Sequence, residues 1–147
     1  MNITKIQTDI LKSLIKGENK AAYGTEITGC IPVTDGQFAA LIPKDKFFLS
    51  FGDRTPFERF KNFFKEPEEK DFQIAYEAEM IKREKATLQK FVTADGKRYA
   101  YVNAKYMKYF DKHANYYVYG RKSPVFVMEG EYIVGFILPV NISEGSD

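Results

Sequence analysis

Apolar residues recur at helical spacing at the start of the chain and later at the alternating spacing that is typical of strands. The first stripe contains Ile3, Ile6, Ile10, Leu11 and Leu14. Its period predicts an amphipathic helix. Thr4 and Gln7 fit a capping box at the start of this helix, and Gly17 fits the left-handed residue that ends one.

Strand patterns separated by turn residues follow this helix. They cover residues 21–29, 37–42, 47–51, 72–80, 87–93 and 97–102, and three more lie within 115–120, 123–128 and 131–142. Thr34-Asp-Gly36 and Ala94-Asp-Gly96 carry strong turn signals between neighbouring strands. The pattern therefore predicts an antiparallel sheet.

A second helix is predicted over residues 56–65. Thr55, Pro56 and Glu58 place an N-cap, a first-turn proline and an N3 glutamate in the preferred order. One face of this helix carries Phe57, Phe60 and Phe64. Such a stripe covers one end of the protein's own sheet, or it docks a partner or a second copy of the chain.

A third helix begins at Asn103, a good N-cap, and runs to about His113. Together these elements predict the α+β class: one domain over residues 1–147, with two or three short helices on an antiparallel sheet. Each half of the chain contains one short helix and then about three strands. The two halves share this order of elements without a sequence repeat.

Composition places the chain among ordinary globular proteins. It has 147 residues, a net charge of +2, 44% apolar residues and a single cysteine, Cys30. One cysteine excludes an internal disulfide and is typical of a reducing compartment. The chain starts without the pattern of a signal peptide, and Gly135 and Pro139 interrupt the longest apolar stretch. We therefore expect a cytoplasmic protein that does not span a membrane.

Residues with catalytic potential are sparse. His113 is the only histidine, and no set of Cys and His has the spacing of metal ligands. No glycine-rich phosphate loop is present. Glu77 and Glu79 could act as an acid and base pair, although exposed glutamates on a strand are a common alternative. We therefore expect no enzyme activity, no cofactor, no metal and no small-molecule substrate.

Basic residues are concentrated between Lys97 and Lys122, where seven lysines and arginines accompany one aspartate. Lys105, Lys108 and Lys112 fall on one face of the predicted third helix. Lys5, Lys12 and Lys16 share a face of the first helix, which also carries Asp9. Rows of ammonium groups either bind the nucleic-acid backbone without base specificity or form a solvated helix face.

The tyrosines in and near this basic stretch also allow two interpretations. They are Tyr99, Tyr101, Tyr106, Tyr109, Tyr116, Tyr117 and Tyr119. Tyrosine rings can stack on single-stranded bases, and they also pack sheets with the hydroxyl left in water.

Three segments carry a resemblance to a known family. Asn103-Ala-Lys-Tyr106 opens a helix, Ser123-Pro-Val125 opens a strand, and Ile137-Leu-Pro-Val140 belongs to the last strand. This order resembles the closing half of a domain from the bacterial DNA polymerase sliding clamp. The resemblance is clear over about residues 100–142 and weaker over 5–42, where Val33-Thr-Asp-Gly36 is similar to a turn of the family. It is absent over 52–85, which we interpret as an insertion that contains the Phe-rich helix.

The resemblance implies roles for the basic third helix and for the last strand. Helices of sliding clamps line the inner wall of a ring and contact DNA phosphates, so Lys105, Lys108 and Lys112 would be wall residues here. The terminal strand of a clamp contributes to a groove for client peptides, which implies Ile137, Leu138, Pro139 and Val140 as partner-binding residues. The flexible methionines of the family are replaced here by Leu138 and Val140.

Two functional hypotheses follow from the residues and the resemblance. The first is a non-enzymatic clamp-like protein that binds duplex DNA through helix lysines or modulates replication proteins. The second is a protein-interaction module that kept the fold without binding DNA. A single domain of this kind suggests a phage or mobile-element origin, and it would act as a monomer, a dimer or a ring of six copies.

Overall fold

A computed structural model of the chain describes residues 1–17, 20–49 and 72–142. The α+β class is confirmed, with one large antiparallel sheet of nine strands and a single long helix within these residues. The helix is α1 (Ile3–Ile15), and the strands are β1 (Ala22–Tyr23), β2 (Cys30–Thr34), β3 (Phe38–Pro43), β4 (Gln73–Arg83), β5 (Ala86–Thr93), β6 (Tyr99–Asn103), β7 (Asn115–Val118), β8 (Val125–Glu129) and β9 (Tyr132–Ile137). Short 3₁₀ helices span Lys44–Lys46 and Ala104–Tyr109.

The strands lie in the order β1-β2-β3-β9-β8-β7-β4-β5-β6, and every neighbouring pair is antiparallel. The amide of Val140, just after β9, donates to the carbonyl of Tyr101 in β6 at 2.7 Å. In a flat sheet five strand spacings would separate β9 from β6, about 24 Å. The three residues from Ile137 to Val140 span at most about 10 Å. The sheet therefore curls strongly, and the edge strand β6 approaches the end of β9, which lies near the middle of the sheet.

The main core lies between α1 and one face of this curled sheet. The apolar stripe of α1 is buried there, as the sequence predicts, together with Val33, Phe38, Ile42, Val102, Val118 and Ile137. The Phe38 ring stacks on the rings of Tyr106 and Tyr109, each at 4.9 Å between centroids. Burial of large aromatic rings in such offset pairs adds to the free energy that holds the helix segment 104–109 on the sheet.

A second apolar layer covers the opposite face of the central strands. Ala39, Phe126 and Phe136 are buried there, with Phe72 packed edge-on against Phe126 at 5.0 Å. Because successive residues of a strand point to opposite faces, Phe38 packs in the main core and Ala39 packs in the second apolar layer. The middle of the sheet is therefore apolar on both sides.

The start of α1 differs from the sequence prediction. Asn2 is the N-cap, and its side chain accepts from the amide of Lys5 at 3.1 Å. Gln7 is fully buried and does not reach back to Thr4. Its amide group donates to Lys46 O at 2.9 Å and its oxygen accepts from Phe48 N at 2.8 Å. The predicted capping box is therefore wrong, because Gln7 satisfies buried backbone groups of the segment that follows the 44–46 helix.

One strand prediction is correct only in part, and another is wrong. Within the predicted strand over 21–29 only Ala22–Tyr23 forms a strand, β1, and a tight turn at Thr28 and Gly29, where φ is +48° and +79°, leads into β2. Residues 47–49 are not a strand. Residues 50–71, with the predicted 56–65 helix and its Phe57, Phe60 and Phe64, lie outside the described residues.

The third helix is shorter and tighter than predicted. Asn103 caps it as expected and accepts from the amide of Lys105 at 3.1 Å. It is a 3₁₀ helix that ends at Tyr109, because Phe110 adopts an extended backbone and turns into the core. In a 3₁₀ helix side chains three residues apart eclipse one another. Tyr106 and Tyr109 are therefore buried on one side, and Lys105 and Lys108 are exposed.

We predict that Gly135→Ala destabilises the protein. A methyl group at this position in β9 would collide with the carbonyl of Ala39 and lie 3.0 Å from the Phe110 ring. We expect the free energy of unfolding in urea to fall by about 3 kcal/mol, the upper range for overpacking a core. Gly120→Ala is the control, because its new methyl group meets nothing within 4 Å. Equal losses in both variants would contradict this packing.

A second prediction separates the two candidate caps of α1. Asn2→Ala should lower the free energy of unfolding by about 1 kcal/mol, because it removes the side-chain acceptor for the Lys5 amide. Thr4→Ala should have little effect. Urea titrations followed by far-ultraviolet circular dichroism measure both values, and a larger loss for Thr4→Ala would restore the capping box.

Candidate polyanion-binding surface

The two helical segments lie side by side on the sheet. The amide of Asn2 donates to Tyr109 O at 2.7 Å, and the Tyr109 hydroxyl donates to Asp9 Oδ2 at 2.6 Å. These bonds join the first turns of α1 to the end of the 104–109 helix. Residues that are about 100 positions apart in sequence thereby form one continuous surface.

Lysines from both helices surround a recess of about 280 Å³ between them. Lys12 and Lys16 line it from α1, and Lys105 and Lys108 line it from the 104–109 helix. Lys5 lies beside the same recess, with its ammonium group 3.6 Å from Asp9. All five side chains are exposed. We call this set of five lysines the lysine surface.

Two aspartates form the floor of the recess, and each accepts from a buried tyrosine. Asp35 accepts from Tyr106 at 2.8 Å, and Asp9 accepts from Tyr109. Asp35 belongs to the turn between β2 and β3. Its other oxygen accepts from the amides of Gln37 and Phe38 at 2.8 and 3.2 Å. The Thr-Asp-Gly turn therefore places one carboxylate under the recess and fixes the turn with the same side chain.

These hydrogen bonds shift the pKa values of both tyrosines and of Asp9. Burial, and then the charge and hydrogen bond of Asp35, raise the pKa of Tyr106 far above its ordinary value. Burial and the bond to Asp9 likewise raise the pKa of Tyr109. Both hydroxyls therefore stay protonated and donate. Burial acts to raise the pKa of Asp9, but the Tyr109 bond and the charges of Lys5, Lys108 and Lys12 together lower it.

The tyrosine rings also hold the lysines. The ammonium group of Lys105 lies 5.0 Å from the centre of the Tyr106 ring, and that of Lys108 lies 5.1 Å from the centre of the Tyr109 ring. Cation–π contacts at exposed sites contribute about 0.5–1 kcal/mol each. They favour lysine conformations that lie along the rings at the rim of the recess.

The charge balance of the surface is positive. Five lysines face two aspartates, which leaves an excess of three positive charges. Lys5 and Lys108 lie 3.6 and 4.0 Å from Asp9. Lys12, Lys16 and Lys105 form no ion pair with any carboxylate among the described residues. These three ammonium groups are therefore available to an external anion such as a phosphate.

One predicted lysine lies apart from this set. Lys112 does not line the recess, because the 104–109 helix ends before it. The basic residues Lys97, Arg98, Arg121 and Lys122 also lie elsewhere. Lys97 and Arg98 precede β6 whereas the 104–109 helix follows it, and the guanidinium of Arg98 lies over the Tyr119 ring at 5.1 Å. The basic stretch of the sequence thus separates into two surfaces at opposite ends of β6.

Of the four predicted partner-binding residues, only Ile137 lies in β9, and the other three follow its end. Ile137 is fully buried beside Phe38 and Val125, so its side chain has no exposed area to offer a partner. Leu138 is exposed, and Pro139 and Val140 are half-buried. A different apolar groove of about 670 Å³ lies next to β9, where Ile133, Leu41 and Ile27 line it. Tyr132 stands at its rim with 75% of its surface exposed.

Sequence reasoning missed the residues that organise the recess, namely Asp35, Tyr106 and Tyr109. The Thr-Asp-Gly turn signal marks Asp35, but nothing local in the sequence indicates that a tyrosine 71 positions later would bind it. Within the described residues no group of three or more His, Cys, Asp and Glu side chains gathers as metal ligands. No helix in that part of the chain combines the length and the apolar character needed to cross a bilayer.

No protein-family model, no curated protein and no solved structure matches this chain.

We predict that the Asp9 carboxylate stabilises the fold in a pH-dependent way. Its folded pKa lies below the ordinary value of 3.8, so its contribution is complete above that value and is lost as the pH falls through the folded pKa. At neutral pH, Asp9→Asn should lower the free energy of unfolding by about 1.5 kcal/mol, the lower end of the range for a hydrogen bond to a charged group, because the amide oxygen of Asn can still accept from Tyr109. Near pH 2 the difference from the parent should shrink toward zero.

Urea titrations of both proteins at several pH values measure this difference. Asp45→Asn, at an exposed position of the 44–46 helix, is the matched control and should show little difference at any pH. A loss in Asp9→Asn that is equally large at neutral pH and near pH 2 would show that the charge of Asp9 contributes nothing.

Proposed function

We propose that this protein binds the phosphate backbone of duplex DNA through the lysine surface, without reading base sequence and without covalent chemistry. The observation that carries this proposal is the convergence of lysines from two distant helices around one recess. Ammonium groups arranged in this way bind polyanions through the release of condensed counterions. Such contacts position a protein on DNA but do not specify a sequence.

The hydrogen bonds of Asp9 and Asp35 to tyrosines favour this proposal over the interpretation that the lysines only form a solvated helix face. Solvated helix faces commonly alternate acidic and basic side chains that pair in water. Here both carboxylates accept from buried tyrosines, Asp9 alone also pairs with lysines, and Lys12, Lys16 and Lys105 form no ion pair among the described residues. These three positive groups are therefore available to an approaching polyanion.

The order of the strands supports a clamp-like organisation as part of the proposal. Around the β3–β9 junction the sheet has the order β1-β2-β3 on one side and β7-β8-β9 in mirrored order on the other. Each set of three strands follows one helical segment, α1 or the 104–109 helix, and the two segments contact each other. We propose that these are the two similar halves suggested by the sequence, with β4, β5 and β6 as an addition to the sheet.

A chain of this kind would act as a single-domain relative of a sliding clamp, on DNA alone or beside replication proteins. The 104–109 helix is one short 3₁₀ segment, so the lysine surface is smaller than two full helices would provide. We therefore expect weak binding that depends strongly on salt.

The test is a fluorescence-anisotropy titration of labelled duplexes of two unrelated sequences over a series of salt concentrations. Three phosphate contacts, from the lysines that form no ion pair among the described residues, predict a slope of log K against log salt of about −2.7, and contacts from all five lysines predict about −4.5, equal for both sequences. Lys105→Glu/Lys108→Glu should weaken binding uniformly and reduce the magnitude of the slope by about 1 to 2. Lys97→Glu/Lys122→Glu changes the net charge equally at the other end of β6 and is the matched control.

Two results would contradict the proposal. Equal loss of affinity in both double variants would mean that the net charge alone attracts DNA and that the lysine surface is not the site. Unchanged binding in Lys105→Glu/Lys108→Glu would remove these lysines from the interface. Circular dichroism of each variant shows whether the fold is retained.

The groove beside β9 favours a second candidate, a protein-interaction module that does not bind DNA. Its walls are mainly apolar, and Tyr132 is exposed at its rim, an arrangement that is typical of protein interfaces. This candidate replaces the first if the duplex titration shows no salt-dependent binding at low salt.

A further inference from the structure

Among the described strands, the partners of β4 cover only part of one of its sides. It runs over Gln73–Arg83, and β5 pairs with it along most of this length. On the other side β7 pairs only with Gln73, Ile74 and Ala75. From Tyr76 onward no described strand pairs with that side of β4. A strand with one unpaired side presents outward amide and carbonyl groups that another strand can bind.

The side chains of this segment are accessible. Tyr76 and Met80 expose 55% and 56% of their surface, and Glu77 and Lys82 are also exposed. Large apolar side chains beside an open backbone edge favour the addition of a further strand.

The charges along this edge are divided by sign. Glu77 and Glu79 come first, and Lys82 and Arg83 follow. Charged side chains, lysine above all, commonly protect an edge against pairing. Here the acidic half and the basic half would face each other if two copies of the strand lay antiparallel. The sequence of the edge is therefore complementary to itself.

A bulge makes one particular register possible. Glu77 lies opposite Phe91 of β5, and Lys82 lies opposite Thr87, with an irregularity between Glu77 and Met80. Phe91 and Thr87 are four residues apart and so point to the same face of the sheet. Glu77 and Lys82 therefore share that face although they are five residues apart. Residues directly opposite each other in an antiparallel pair must share a face.

We propose that two copies of this chain associate through β4, antiparallel about a two-fold axis, with Glu77 of each copy opposite Lys82 of the other. The same register places Tyr76 opposite Arg83, on the other face of the paired strands. Such an interface is isologous, because each copy contributes the same patch. The occupant of the edge is a second copy, and this inference does not depend on DNA binding.

Sedimentation velocity over protein concentrations from about 1 to 100 μM tests this association, since a short strand pair gives a weak dimer. The parent protein should pass from one to two copies within this range. Glu77→Lys and Lys82→Glu should each place like charges opposite each other and weaken the dimer at least tenfold. The double variant Glu77→Lys/Lys82→Glu should restore it, because both pairs are then reversed.

Lys44→Glu, at an exposed position away from β4, is the control and should dimerise like the parent. Circular dichroism shows that each variant is folded. A parent protein that stays monomeric throughout would overturn the proposal and would mean that the bulge and charges protect the edge. Dimers that the single charge reversals leave unchanged would place the contact on another surface and would equally overturn it.

Discussion

Two hydrogen bonds from buried tyrosine hydroxyls to aspartates hold three distant parts of this chain together. Tyr106 binds Asp35, 71 positions away, and Tyr109 binds Asp9, 100 positions away. The bonds therefore join the 104–109 helix to the β2–β3 turn and to α1. Loss of either tyrosine hydroxyl would remove a hydrogen bond to a charged group, and such bonds contribute about 1.5–3 kcal/mol. These two contacts help to set how the 104–109 helix, with Lys105 and Lys108, lies against α1.

The same two contacts organise the electrostatics of the recess. The hydrogen bonds hold the two carboxylates in the floor of the recess. The same tyrosines place their rings against the ammonium groups of Lys105 and Lys108. Asp9 holds Lys5 and Lys108 at its edge, and Lys12, Lys16 and Lys105 remain for an external anion. In the proposed complex these ammonium groups would attract phosphates by charge, and such contacts carry no information about base sequence. The curl of the sheet brings strands from both halves of the chain around the main core, on which the two helical segments lie.

The sequence predicts the class of the fold, the apolar stripe of α1, the hairpin turns and most strands, because each depends on local periodicity. It does not predict Gln7 as a buried anchor or β2 as the strand after Gly29, since tertiary contacts decide both. Five of the six predicted lysines meet on one surface, but the reason is the pairing of Tyr106 and Tyr109 with distant aspartates. The assumption of a regular helix places Lys112 with them, and the turn of Phe110 into the core separates it. The charges of the β4 edge can be read in the sequence, but only the strand order shows that no described strand pairs with this edge beyond Ala75.

The central claim is that the two helices joined by these tyrosines form the anion-binding surface. The most direct measurement is a series of ¹⁵N–¹H correlation spectra recorded while unlabelled duplex DNA is added to the labelled protein. The account predicts that the amide signals that shift belong mainly to α1 and the 104–109 helix, and that added salt reverses the shifts. Shifts confined to the β5–β6 turn and the Arg121 region, or to the groove beside β9, would contradict it.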